Sequence, residues 1–307
     1  MTSLHIDELS QAVIDAAWTQ WASLGSSTDS SRAAQSIIDP EALLLISLSL
    51  RHRERRLWDV LGSWAKHGSK LFSIQRIKNL QKRFPNLAND RLAEFALLAK
   101  TAGKDHRWGR LAGPAPGPTV RTHDLWKAYP STWQPAALII RLRLGIGVGI
   151  VADLLPFLIS LKGDWATARG IAEATDYSVY SVRRTADNMA ASQLIESTRE
   201  KPVQYRANIE AWSDLLGIDR DLPRWRFWHK IYSLAATLII GEETGEWEGQ
   251  SRYMLSSNLR DLVEDYGEVF VLNQIEFADP RKFPGEQYLS AFADSIAHFT
   301  KWIRKSV

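Results

Sequence analysis

Apolar residues recur at three- and four-residue spacings over most of the chain, and that period predicts helices. Ile6, Leu9, Val13, Ala16, Ala17, Trp21 and Leu24 form the first series. Asp7 and Glu8 suit its first turn, where the helix dipole favours negative charge. Gly25 to Arg32 is polar and reads as a loop. Asp39-Pro40-Glu41 has the order of an N-cap, a first-turn proline and a first-turn acid, and it opens the apolar run ALLLISLSL, a buried helix. The basic string Arg51 to Arg56 follows. Three more helical stretches come after it: LWDVLGSWAKHG, stopped by Gly68, then Phe72 to Phe84, ended by Pro85, then Asn89 to Ala99. Ala102 to Pro118 is rich in Gly and Pro and reads as a linker or long loop. Pro135 to Leu144 fits either a strand or a helix. The helical run IVADLLPFLISLKG follows the Gly145-to-Gly149 stretch, with Pro156 expected to kink or split it and Gly163 to stop it. From Ile209 onward the period is again helical, except that Glu268 to Phe277 fits a strand or an irregular helix.

One stretch departs from long helices. Asp164 to Asn208 reads as a short strand at Trp165, a helix from Ala168 to Thr175 capped by Thr167, a turn at Asp176-Tyr177, and a second helix capped by Ser178. Two short strands then form a hairpin, Leu194-Ile195-Glu196 and Val203 to Arg206. On the second helix Val182, Ala186 and Met189 fall on one face. The opposite face carries Tyr180, Ser181, Arg183, Arg184 and Asn188, and the hairpin tip carries Arg199 and Lys201. Arginine pairs bidentately with guanine, asparagine with adenine, and hydroxyls bond phosphate, so these types suit a major groove.

With Gly147 to Lys162 before it, this stretch resembles the winged helix-turn-helix domain of bacterial ArsR- and MarR-type transcriptional regulators. The resemblance covers about a quarter of the chain and rests on the order of elements. It implies that Ser178 to Ser192 is the recognition helix and Thr198 to Val203 the wing. Leu215-Leu216-Gly217, Leu222-Pro223-Arg224-Trp225 and the later FPGEQYLSAF are similar to strings in bacterial winged-helix proteins encoded beside nucleotidyltransferase-type toxins. That resemblance implies an antitoxin-like, autoregulating member of such a pair.

Composition narrows the picture. The 307 residues hold no cysteine, which excludes disulfides and cysteine-ligated metal, and the net charge is only +3. That charge is uneven. Residues 1–50 carry one basic and six acidic side chains; residues 51–110 carry 15 basic and five acidic; residues 211–307 carry 11 and 15. The basic segment is a candidate face for an anion or a solvated surface. Residues 141–210 carry nine basic and eight acidic side chains, an almost neutral balance for a nucleic-acid reader, since phosphate neutralisation dominates affinity. The basic segment would then have to share the work. The start, MTSLHIDELS, lacks the features of a signal peptide. Ala136 to Leu161 contains Arg141, Arg143, Asp153 and Pro156, which argues against a membrane span, and the absence of cysteine fits a reducing cytoplasm.

No enzyme constellation emerges. Gly145-x-Gly147-x-Gly149 has the wrong spacing for a dinucleotide fingerprint. The seven histidines form no His-Glu-x-x-His pattern and read as surface or singly bonded residues. Glu242, Glu243, Glu246 and Glu248 read as a solvated acidic loop, and the tryptophans Trp58, Trp64, Trp225 and Trp228 as core or interface anchors. The expected fold class is mainly α: a helical domain over 1–101, a linker over 102–134, a central winged helix-turn-helix domain over 135–210 with a small antiparallel β wing, and a helical domain over 211–307. The expected function is sequence-specific binding of double-stranded DNA, without a cofactor. A homodimer would match palindromic half-sites. The competing expectation is a protein-binding antitoxin or adaptor that neutralises a nucleotidyltransferase-type toxin.

Overall fold

The computed structural model describes residues 4–26, 32–113, 133–218 and 222–307, without the side chain of Leu87. The described residues are mainly helical with one small antiparallel sheet. The N-terminal helices are α1 (Ile6–Ser23), α2 (Pro40–Ser49), α3 (Leu57–Ser63), α4 (Ile74–Leu80) and α5 (Asn86–Thr101). Next come α6 (Leu138–Ile146), α7 (Ile150–Ser160), α8 (Ala168–Thr175), α9 (Val179–Ala191) and α10 (Ile209–Leu216). The last three are α11 (Trp228–Glu243), α12 (Arg252–Asn273) and α13 (Tyr288–Ser306). Strands β1 (Ala166–Thr167), β2 (Glu196–Ser197) and β3 (Gln204–Arg206) pair in the order β1-β3-β2, with Ala166 opposite Tyr205 and Glu196 opposite Arg206.

Two hydrophobic cores organise these elements. The first takes side chains from α1 to α5 and from α11 to α13 together, so helices at opposite ends of the chain share one interior. Its axis is α2, in which every residue is buried. Asp39 caps α2 by accepting from the Ala42 amide at 3.1 Å, and Pro40 takes the first helical position. A helix apolar on all sides has to be covered on all sides; α1, α5 and α11 pack around it. Tryptophan dominates this interior. Trp21, Trp64 and Trp228 are fully buried, and each indole N–H donates to a serine: Ser47 at 2.9 Å, Ser26 at 3.1 Å and Ser36 at 3.0 Å. Each ring thereby buries its large apolar area without orphaning its donor.

Several local expectations change. The helix expected over Phe72 to Phe84 is shorter, because Ser73 caps it by accepting from the Arg76 amide. The first part of the expected linker is packed: His106–Arg110 is a 3-10 turn whose Trp108 is fully buried against Phe95, with ring centroids 5.0 Å apart. Gly103 permits that docking, since a Cβ there would lie 2.3 Å from the Ala65 carbonyl oxygen. Residues 114–132 of that stretch lie outside the described residues. Pro135 to Leu144 is helical, α7 runs through Pro156 unbroken, and Glu268 continues α12 as far as Asn273. Glu242 and Glu243 are no solvated loop; they end α11 and meet Arg53 at 2.9 and 3.5 Å. Among the described residues no helix is long and apolar enough to cross a membrane.

The second core joins α6 to α10 and the sheet. Leu154, Leu155 and Leu158 of α7, Ile171 and Ala174 of α8, Val182 and Ala186 of α9, and Tyr205 of β3 are among its fully buried members.

Candidate nucleic-acid interface

The candidate surface is built on α8, the turn after it, α9 and the hairpin. Thr167 accepts from the Gly170 amide at 3.1 Å and so starts α8. The helix ends at Asp176, whose φ of 56° is left-handed, a conformation that aspartate tolerates better than most residues. Ser178 then caps α9, accepting from the Ser181 amide at 3.1 Å while its hydroxyl donates to the Ser181 hydroxyl at 2.8 Å. Val182, Ala186 and Met189 point into the core. Trp165, expected to pair as the first strand, instead precedes β1 and lies under the Arg206 guanidinium, 4.5 Å from its ring centroid.

Tyr180, Arg183, Arg184 and Asn188 are all exposed on α9, Tyr180 to 76%. Their side chains have no hydrogen-bond or ion-pair partner among the described residues. Ser178 and Ser181 differ, because their hydroxyls are bonded to each other and hold the helix start. The hairpin is closed by the Thr198 amide donating to the Gln204 carbonyl at 3.0 Å and the Gln204 amide donating to the Thr198 hydroxyl at 2.9 Å. Arg199 and Lys201 are exposed at its tip. Tyr205 donates to Asp187 at 2.6 Å and so ties β3 to α9; burial and this bond hold its phenol above the usual tyrosine range.

The nearly neutral balance of this region conceals a separation of charge. Four of its acids are paired with cations: Asp153 with Arg143 at 2.7 Å, Glu173 with Lys230 at 2.9 Å, Asp176 with Arg83 at 3.2 Å and Glu196 with Arg206 at 2.7 Å, while Asp164, Glu200 and Glu210 are exposed. Arg183, Arg184, Arg199 and Lys201 are left facing solvent.

A buried ionic network fixes the turn before α9 to the first core. Arg76 donates to both Asp39 oxygens at 2.8 and 2.5 Å, to Glu41 at 2.7 Å, and to the Thr175 carbonyl at the end of α8 at 2.8 Å. Arg143 grips Glu41 at 2.5 and 3.0 Å, Asp153 at 2.7 Å and the Leu71 carbonyl at 2.8 Å. Tyr177, in the turn, donates to Asp153 at 2.8 Å and meets the Ser73 hydroxyl at 3.2 Å. Asn79 donates to the Asp176 carbonyl at 2.8 Å. Burial by itself would raise the Asp39 carboxyl; the Arg76 guanidinium overrides it and holds that carboxyl below the usual range. Burial pushes the Tyr177 phenol above its ordinary range, with Asp153 adding to the effect.

Sequence reasoning missed this network. Asp39 and Glu41 read as helix-start residues, and Arg143 and Asp153 as reasons against a membrane span. The signal was ionisable residues inside otherwise apolar runs, which are seldom fully buried unless paired. His229 departs from the expected surface histidine as well. It is fully buried, neither ring nitrogen has a hydrogen-bond partner among the described residues, and burial drives its pKa down to about 3.

Part of the basic segment over 51–110 is bonded within the chain, while Arg55, Lys70, Lys82, Lys100, Lys104 and Arg110 are exposed. Arg51 pairs with Glu94 at 2.6 Å, Arg53 with Asp7 at 2.6 Å, and Arg107 with Asp105 at 2.7 Å. Buried Arg91 donates to the Leu48 and Ser49 carbonyls. Lys82 of the turn after α4 is exposed beside the Arg83–Asp176 contact, and Arg169 is exposed on α8. Both are additional candidates for phosphate that pattern reading did not select. Comparison with protein-family models, curated proteins and solved structures found no match for the chain.

Proposed function

We propose that this chain is a winged-helix regulator of transcription that binds double-stranded DNA sequence-specifically, with α9 as its recognition helix and the β2–β3 hairpin as its wing. The observation that carries this reading is the solvent face of α9. Tyr180, Arg183, Arg184 and Asn188 stand there without side-chain partners among the described residues, on a helix whose start is capped and whose opposite face is buried. A second helix of a helix-turn-helix reads base edges from its N-terminal half, and these side chains match the donors and acceptors of a major groove. Arg199, Lys201, Arg169 and Lys82 are the phosphate contacts of this reading. No cofactor is needed for it.

The test is a mobility-shift titration against duplex DNA from upstream of the chain's own gene, at several salt concentrations. Affinity is expected to fall as salt rises, because neutralised phosphates release counterions. Absent or salt-insensitive binding would sink the proposal.

A second reading is a protein-contact role, as an antitoxin or adaptor for a nucleotidyltransferase-type toxin. Exposed apolar side chains on the same unit favour it: Val179 beside Tyr180, Leu194, and Leu215 of α10, which is 72% exposed. Co-purification with the product of an adjacent nucleotidyltransferase gene supports this reading, and failure of the pair to associate counts against it.

A further inference from the structure

A recess of about 560 Å³ opens where the two cores meet, away from the solvent face of α9. Four cations line it: Lys162 after α7, Arg224 and Arg226 on the connection between α10 and α11, and Lys305 near the end of α13. Among the described residues no carboxylate lines it, and none of the four cations has an ion-pair partner. Buried Arg76, Arg91 and Arg143, by contrast, are each bonded to carboxylates or carbonyls. Arg226 has only the Trp302 ring, 5.2 Å from its guanidinium, and its buried Nε has no hydrogen-bond partner. An unsatisfied buried donor carries a desolvation cost that a ligand can remove. Burial, and then the neighbouring Arg224 charge, lower the Arg226 pKa. This is repulsion that an anion would relieve.

The walls are fixed in place. The Ile37 amide donates to the Arg224 carbonyl at 3.0 Å, the Trp228 amide donates to the Arg226 carbonyl at 2.8 Å, and the Trp228 indole holds Ser36 at 3.0 Å. Ala34, Pro135, Leu222 and Pro223 add apolar lining beside the charges. We propose that this recess binds a phosphate-bearing small molecule of nucleotide size, carrying two or more negative charges. The volume falls within the range of small-molecule sites. Two guanidinium forks and two ammonium groups match the oxygens of a multivalent phosphate, and guanidinium groups engage phosphate bidentately. The site is recessed, whereas a duplex presents its phosphates on the outside of a rod, which a small-molecule recess does not admit. The ligand would touch residues belonging to both cores.

Isothermal titration calorimetry with ADP, pyrophosphate and adenosine tests this, using the full chain at low salt. ADP and pyrophosphate are expected to bind and adenosine is not. Arg224→Glu and Lys305→Glu replace exposed side chains, so both variants are expected to melt at the wild-type temperature while losing at least ~10-fold in ADP affinity. Arg226→Gln is expected to lose as much. The proposal is overturned if neither phosphate probe binds at ~1 mM, if adenosine binds as well as ADP, or if the folded Arg224→Glu and Lys305→Glu proteins keep full affinity. Loss of duplex binding in Arg224→Glu, with neither probe bound by the wild type, would make the patch a DNA contact and would also overturn it.

Discussion

The arginines of the N-terminal helices and those of α9 have the same chemistry and opposite surroundings. Residues 51–110 hold 15 cations, yet Arg51, Arg53, Arg76, Arg83, Arg91 and Arg107 are all bonded to carboxylates or carbonyls of this chain. The unit around α9 is almost neutral by count, yet Arg183, Arg184, Arg199 and Lys201 have no ion-pair partner among the described residues, while Asp153, Glu173, Asp176 and Glu196 are each paired with another cation. A charge count along the sequence therefore does not say which cations are available to an anion. What decides availability is whether the neighbouring elements bring an acceptor to each cation.

The sharpest way to break this contrast is to remove one inward cation and one outward one. Arg143→Ala would leave Glu41 and Asp153 buried without their shared partner. Loss of one partner of a buried pair costs about 3–5 kcal/mol, which should appear as a large drop in the urea midpoint. Arg183→Ala, at an exposed position, should change stability by less than about 0.5 kcal/mol. A small effect of Arg143→Ala would mean that water reaches the network, and the distinction between inward and outward cations would fail.

Acid gives a second probe of the interior. The folded His229 holds its proton far less tightly than an ordinary histidine, with a pKa near 3 against 6.5. Between those values the unfolded chain binds a proton that the folded chain does not, so stability falls as pH drops through that window and is flat above it. The slope from this one group approaches about 1.4 kcal/mol per pH unit. Asp39, held below its usual range, adds a loss in the same direction only as pH falls below 3.8. Urea titrations at pH 7 and pH 5 measure the effect, and His229→Leu should shrink the difference between the two. An unchanged difference in that variant would place the titrating group elsewhere.

Helices and caps were legible in the sequence because they depend on local spacing. Thr167, Ser178 and Asp39 each cap where their residue type and position said they would. The solvent face of α9 was legible for the same reason: Val182, Ala186 and Met189 fix which side is buried, and Arg183, Arg184 and Asn188 follow. Which helices share a core was not legible. An apolar stripe states that it must be covered and not by what, so nothing local tied α1 to α11 and α13. The ionic network was hidden on the same grounds. Glu41 and Arg143 are 102 residues apart, and each looks ordinary until the other is placed against it. Trp108 escaped because glycine and proline around it signalled a loop, while one large buried ring was enough to dock that loop.

On the outward side, the contrast sharpens by separating base readers from phosphate contacts. Arg184→Ala should cost about 1–3 kcal/mol against the preferred duplex and relax discrimination among sequences, as loss of a bidentate base contact does. Competition titrations with the preferred and a scrambled duplex measure it, with the melting temperature as a control for folding. Equal losses on both duplexes would reassign Arg184 to the phosphate backbone.

The smallest effect belongs to Lys201, at the hairpin tip. Its ammonium would meet backbone oxygens, which are alike in every sequence, so Lys201→Ala should weaken the preferred and scrambled duplexes by the same factor. The slope of log affinity against log salt should fall by roughly one, the signature of one fewer neutralised phosphate. Because Lys201 is exposed and has no partner among the described residues, the melting temperature should not move. A change in sequence preference with an unaltered salt slope would place this lysine in a groove as a base contact. The hairpin would then share in readout, and the outward cations could no longer be divided between α9 for bases and the hairpin for phosphate.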